Sequence, residues 1–223
     1  MKNLFISLLS LISFGLHAQN LPDYIASIKS DMPSIPEERK MEIEKLVVYV
    51  KAQIQAKKTV NLVFICTHNS RRSQMSQIWA SVAAEQYQLA DKINTFSGGT
   101  ENTAFNPRAV AALERAGLSI EKVNGDTNPH YLVHYSKTLP AIECFSKVYT
   151  NPFNPQKNFV AVMNCSDADK NCPNVVGASF RTAIKYEDPK LSDGTPAEQK
   201  TYDERCRQIA RELFYLMSRV NSK

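Results

Sequence analysis

Apolar positions in this chain come in short runs separated by stretches of helical period. Val60 to Ile65 is a compact run, V-N-L-V-F-I, and predicts a buried strand. In the next stretch, Arg72 to Gln86, Met75, Ile78, Trp79 and Val82 share one face, predicting a helix. Ile93 to Phe96 reads as a second short strand ending in Ser97-Gly98-Gly99. Asn106-Pro107 is a cap followed by a first-turn proline, and opens a helix that runs to Ala116 and stops at Gly117. Phe159 to Met163 and Ala178 to Ile184 are further strands. Thr195-Pro196-Ala197-Glu198 reads as a capping box that opens a terminal helix reaching Val220. Strands alternating with helices predict an α/β domain over residues 59–223, with a single parallel β-sheet covered by helices on both faces.

Two segments depart from that rhythm. Residues 19–58 form an N-terminal extension. Leu21 to Pro36 is mixed and proline-punctuated, and Ser34-Ile35-Pro36-Glu37 reads as a capping box. Ile43, Leu46, Val47, Val50 and Ile54 then make one apolar helical stripe, which predicts packing on the domain. Asn124 to Phe153, rich in Asn, His, Tyr and Pro, reads as an irregular insertion. Its Tyr131, Tyr135 and Phe145 are candidates to wall a pocket.

The first residues differ from all of these. Lys2 is their one charge, Leu4 to Leu16 is apolar, and Ala18 closes the stretch. A basic start, an apolar middle and a small residue at the end predict a secretory signal over residues 1–18 and an exported protein, periplasmic or secreted. The apolar run is too short to span a bilayer as a helix, so no integral membrane association is expected once it is removed.

Composition narrows the function classes. Apolar content is 43% and charged content 22%, ordinary for a globular domain. The net charge of +5 is spread along the chain rather than clustered, so nucleic acid is not an expected partner. The four histidines stand apart, and neither a metal site nor a cofactor is expected. Five cysteines are present, Cys66, Cys144, Cys165, Cys172 and Cys206, so in an oxidising compartment at least one stays unpaired within the chain.

Candidate chemistry centres on C-T-H-N-S-R-R-S, residues 66–73. Cys66 ends a strand and Arg72 opens a helix. A loop curled before a helix N-terminus aims backbone N–H groups at one point, with the helix dipole behind them. That field favours a thiolate over a thiol. Arg72 adds a planar fork that matches two oxygens of a tetrahedral dianion, and Ser73 can donate to the sulfur. Thr67, His68, Asn69, Ser70 and Arg71 complete the cradle. An ester leaving group also needs an acid, and Asp188, held before Pro189, is the candidate.

These residues resemble the anion-binding loop of the low-molecular-weight protein-tyrosine-phosphatase superfamily, whose members carry Cys, Asn, Arg and Ser where this chain has Cys66, Asn69, Arg72 and Ser73. Asn106-Pro107-Arg108-Ala109-Val110 resembles the family's Asn-Pro helix start, and Asp188-Pro189 falls at its general-acid aspartate. C-S-D-A-D-K-N-C-P, Cys165 to Pro173, and D-P-K-L-S-D-G-T-P-A-E-Q resemble one branch, the thioredoxin-linked arsenate reductases. In that branch the cysteines matching Cys165 and Cys172 pass a disulfide along, so the resemblance implies a thioredoxin-like reductant as a partner. Within this chain the same two cysteines also suit a small structural disulfide. His68 stands where relatives have glycine, a position associated with positive φ, and Arg71 where many have another cysteine. The extension and the insertion near 124–158 have no match in the small members.

Three functions are consistent with this reading. The first is an exported phosphomonoesterase acting through a phosphocysteine on Cys66. The second is an arsenate reductase using Cys66, Cys165 and Cys172. The third is a non-catalytic oxyanion binder. The complete set of nucleophile, arginine and acid favours the first.

Overall fold

The computed structural model describes residues 20–125 and 127–222; the expected signal segment, residues 1–18, lies outside them. The chain runs α1 (Leu21–Asp31), α2 (Glu37–Gln55), β1 (Val60–Cys66), α3 (Arg72–Gln86), β2 (Ile93–Gly99), α4 (Pro107–Arg115), β3 (Ser119–Asn124), β4 (His130–His134), β5 (Ile142–Cys144), β6 (Phe159–Met163), α5 (Ser166–Asn171), β7 (Ala178–Ala183) and α6 (Glu198–Asn221). Four strands form a parallel sheet in the order β2-β1-β6-β7. β1 and β6 are buried almost throughout, as central parallel strands covered on both faces should be.

Alternation along β1 assigns its side chains to two cores. Leu62 and Phe64 point into a large cluster built with α1, α2, α3, α4 and α6. Val63 and Ile65 point the other way, into a small cluster under α5 that includes Met163, Cys165 and Ala168, and Cys66 joins that cluster where the strand ends and alternation breaks. The expected sheet is therefore flanked by helices very unequally. The α5 face is closed by one six-residue helix and irregular chain.

The extension belongs to the large core. Leu21 to Asp31 is a helix rather than mixed chain. The Asn20 side chain caps it by accepting from Asp23 N, and Tyr24, Ile25 and Ile28 are buried. Tyr24 stacks on Trp79 with ring centroids 5.4 Å apart. Ile43, Leu46, Val47 and Val50 of α2 lie in the same cluster as Leu213 and Phe214 of α6. The capping box at Ser34 does not form. Met32–Ser34 is a 3-10 turn, and Ser34 Oγ donates back to Asp31 O. Pro36 caps α2 with no side-chain bond. At the C-terminal helix the expected box from Thr195 does not form, and the helix begins two residues later. Ala197 is the cap, while Glu198 reaches back to Gly194 N at 2.6 Å.

Residues 124–153 are also more regular than expected. β4 and β5 join β3 in a second, antiparallel sheet, with Tyr131 opposite Cys144 and Val133 buried in the large core. β5 is only three residues long, and strands this short, bounded by Pro129 and Pro140, give too few alternations to be read from sequence. Among the described residues no helix is long and apolar enough to cross a membrane.

Leu46→Ala tests whether the extension is part of the fold. It should cost about 2–5 kcal/mol in chemical denaturation, the usual range for a fully buried leucine. A loss below about 1 kcal/mol would mean that the extension is peripheral.

Candidate active site

The carboxyl end of β1 opens at a crossover point, since its neighbour on one side is β2 and on the other β6. Open α/β sheets bind ligands there. Residues 66–73 curl over this end. Five successive carbonyls of the loop are tied from outside. Cys66 O accepts from Thr100 N, Thr67 O from Glu101 N and Ser70 O from Asn106 N. His68 O accepts from Ser146 Oγ, and Asn69 O from Gln74 Nε2. Carbonyls turned outward leave the intervening N–H groups on the concave side, as an anion cradle requires.

Asn69 organises the curl. It is buried, and its φ of 47° lies in the left-handed region, which asparagine tolerates better than most residues. The strained position is thus Asn69 and not His68, so the glycine absent at 68 imposes no positive φ here. The Asn69 amide donates to Ser73 Oγ at 2.8 Å, while its Oδ1 accepts from Lys147 N and Gln74 Nε2. Ser73 Oγ lies 3.1 Å from Cys66 Sγ. With its oxygen occupied by Asn69, the hydroxyl has its own hydrogen to give to the sulfur.

Both arginines turn toward Asp188. Arg72 is buried; its Nη1 donates to Tyr186 O at 3.1 Å and its Nη2 to Asp188 Oδ2 at 2.7 Å. Its Nε is buried without a partner among the described residues, a donor suited to an anion in the loop. Arg71 donates to Tyr202 Oη at 3.1 Å and sits 3.7 Å from Asp188 Oδ1. It therefore braces the carboxylate as well as adding charge. Asp188 Oδ1 also accepts from Lys190 N, capping the short 3-10 helix Pro189–Ser192. Burial, with Asp193 accepting its hydroxyl hydrogen, pushes the Tyr202 hydroxyl up to about 12.

All five cysteines are free thiols. Burial pushes Cys144 and Cys206 each up to about 12, and neither approaches the loop residues by a hydrogen bond. Cys165 is different. It caps α5, and its Sγ lies 3.4 Å from Thr67 Oγ1, beside the loop. Cys66, Cys165 and the half-buried Cys172 share the small core. The expected alternative of a disulfide-bridged loop is replaced by a helix. Cys165 and Cys172 cap its two ends, about 10 Å apart at 1.5 Å rise per residue, beyond the roughly 7 Å Cα reach of a disulfide. Arg181 holds this helix by donating to Asp169 O and Cys172 O.

The aromatic wall forms only in part. The Phe145 carbonyl accepts from Gln74 and so braces the loop, with His130 stacked on its ring. Tyr131 packs on Phe105. Tyr135 lies elsewhere, lining a cavity of about 460 Å³ with Leu21, Ile25 and Glu85. Residues that sequence reasoning passed over include Gln74, Tyr202 and the Tyr186 carbonyl, which reach the site only through tertiary contact. Gly99 did leave a signal, as part of a Gly-Gly pair ending a strand. A Cβ there would stand 2.1 Å from the carbonyl oxygen of Glu101, whose N–H is bonded to Thr67 O, and 2.7 Å from Thr67 O and 2.9 Å from Asn69 N.

Known proteins similar to this chain include phosphatases and arsenate reductases. A family model described as low molecular weight phosphotyrosine protein phosphatase matches residues 61–130. An arsenate reductase of Staphylococcus aureus strain Newman is 32% identical over 133 residues, 60% of this chain and 79% of that protein. One from Bacillus licheniformis is 28% identical over 152 residues, 68% of this chain and 88% of that protein. Among solved structures, a low molecular weight phosphotyrosine phosphatase from Vibrio cholerae O395 superposes with a TM-score of 0.45 at 13% identity, covering 71% of this chain and 94% of that one. The chain belongs to the low-molecular-weight protein-tyrosine-phosphatase superfamily, in the part that contains the arsenate reductases. It is a cysteine-dependent enzyme, a phosphatase or an arsenate reductase.

Gly99→Ala should displace the loop without unfolding the protein. We expect activity to fall at least tenfold, since misplacing reacting groups by about 1 Å costs up to 10²-fold, with the melting profile still cooperative. Activity within twofold of wild type would show that the loop does not depend on this close approach. In the folded protein, an alkylating agent should label Cys172 before Cys144 and Cys206, as followed by peptide mass mapping. Equal labelling of all three would contradict the burial described.

Proposed function

We propose that the chain is an exported phosphomonoesterase working through a phosphocysteine. The observation that carries this reading is the Cys66–Ser73–Asn69 chain, with Arg72 opening the helix after it and hydrogen-bonded to Asp188. Cys66 attacks phosphorus as the thiolate, forming the S–P bond as the P–O ester bond breaks. Protonated Asp188 gives its proton to the departing oxygen. Water then attacks phosphorus, Asp188 takes a proton from it, and phosphate leaves with Cys66 restored. Loop amides and the Arg72 guanidinium hold the oxygens through both steps. Export rests on Lys2, the apolar Leu4 to Leu16 and Ala18. A mature N-terminus at Gln19 outside the cytoplasm is expected, and an uncut cytoplasmic chain would overturn that part.

A specific observation favours a second reading. Cys165 is a free thiol against Thr67, and the relatives named above are arsenate reductases. On that reading Cys66 attacks arsenic with loss of water. Cys165 then attacks the Cys66 sulfur, the S–As bond breaks with its electron pair passing to arsenic, and arsenite leaves as the Cys66–Cys165 disulfide forms. Cys172 attacks Cys165, frees Cys66, and an external thioredoxin-like reductant reopens the Cys165–Cys172 bond. The α5 geometry requires this helix to unwind, which hydrolysis does not.

Phosphate release from an aryl phosphate and arsenite release from arsenate should be assayed in parallel. Cys66→Ser should abolish both. Arg72→Lys should remove most phosphate release despite its retained charge, because a point charge cannot chelate two oxygens. Asp188→Asn should slow it by about 10²–10⁴-fold, the usual worth of a general acid. The Cys165→Ser/Cys172→Ser double variant should keep phosphate release. A wild type that lacks phosphatase turnover but reduces arsenate with thioredoxin, and a double variant that loses this, would establish the second reading instead.

A further inference from the structure

We propose that Arg39, on the N-terminal extension, is a positioning residue for the reaction at Cys66: it clamps the Lys185–Tyr186 segment and so holds Asp188, two residues on, in place for its proton transfer, with the Tyr186 carbonyl on Arg72. This rests on the phosphatase reading and gives the extension a part in it.

The segment is gripped by two guanidinium groups on consecutive carbonyls. Arg39 Nη2 donates to Lys185 O at 2.9 Å, and Arg72 Nη1 to Tyr186 O at 3.1 Å. Two consecutive carbonyls are thus gripped from different helices, so α2 and α3 hold the segment together. Arg39 also sits over the Tyr186 ring, its Cζ 4.9 Å from the centroid. Tyr186 N donates to Asn164 O, and Asn164 N to Ile65 O, which ties the segment to the residue before Cys66. Asp188 follows two residues on.

Arg39 is itself fixed by an ion pair. Its Nε donates to Glu212 Oε2 at 2.9 Å, and Glu212 on α6 is 2% exposed. Glu212 Oε1 accepts from Gln208. Glu42 takes the remaining nitrogen, Nη1, at 2.6 Å. Every nitrogen of the guanidinium is therefore committed, and the planar fork is needed to reach Glu212 and Lys185 O together. Arg207 offers the contrast. It also joins α6 to the extension, through Asp31 and Ser27, but touches nothing in the 185–188 segment.

The test compares Arg39→Lys with Arg207→Gln on two esters. Phenyl phosphate has a poor leaving group that needs a proton from Asp188; 2,4-dinitrophenyl phosphate has a good one that does not. Lysine keeps the charge opposite Glu212 but cannot fork. Arg39→Lys should lower kcat about tenfold on phenyl phosphate and no more than about twofold on the dinitrophenyl ester, a fraction of the full worth of a general acid. Arg207→Gln should lower the melting temperature and leave the ratio of the two esters unchanged. Equal losses on both esters, or full activity in Arg39→Lys, would overturn the proposal. Should Arg39→Lys fail to fold, the Arg39→Gln/Glu212→Gln double variant, which strands no buried charge, should show the same ester-selective loss, and an unchanged ester ratio in it would overturn the proposal. If the wild type hydrolyses neither ester, the phosphatase reading fails. The clamp is then judged by titration calorimetry with inorganic phosphate. Binding at least threefold weaker in Arg39→Lys supports it, and equal binding overturns it.

Discussion

At Asn69 the backbone enters the left-handed region, and the same side chain that tolerates this turn makes the hydrogen bonds that hold it. One amide orients Ser73 toward the Cys66 sulfur, receives the Lys147 N–H and meets Gln74. The nucleophile, the loop and the chain around residue 147 are thereby coupled through a single buried polar group. A buried amide left half satisfied costs more than it contributes, so such a hub fixes one geometry or fails altogether. The outward ties of the loop carbonyls and the glycine at 99 follow from that choice. They let β2 and the chain after it lie tight against the curl while its amides stay inside.

The rest of the molecule divides its stability unequally about this loop. Five helices bury one face of the sheet, and the extension is continuous with that core. The other face carries α5, a helix too short to be stable alone, held at its last carbonyls by Arg181. Elements that move in function come from such weakly packed regions. Cys165 and Cys172 are at the two ends of this helix, whereas the inert thiols, Cys144 and Cys206, lie in the rigid core.

Charge at the site is arranged around one carboxylate. Arg71 and Arg72 approach the two oxygens of Asp188. A dianion in the loop draws on the same Arg72 guanidinium, so the acid and the substrate share a partner. The position of the 185–188 segment then sets how both are held, and α2, α3 and the end of β1 all converge on it.

The strands at 60, 93, 159 and 178, the α3 and α6 helices, and the grouping of Cys66, Arg72 and Ser73 were legible in the sequence because each rests on local periodicity or on short spacing, while Asn69 came with the family resemblance. α1 was missed because Pro22, Pro33 and Pro36 mask its apolar spacing. β4 and β5 were missed because their pairing is non-local. The Asp-Pro pair and the family resemblance named Asp188 without showing that Arg71 would join Arg72 on it. Which cysteines stay inert, which carbonyl receives Arg72 and which residue takes the positive φ were decided by the tertiary structure. Burial, long-range hydrogen bonds and ion pairs between residues more than a hundred positions apart leave no local pattern in a chain.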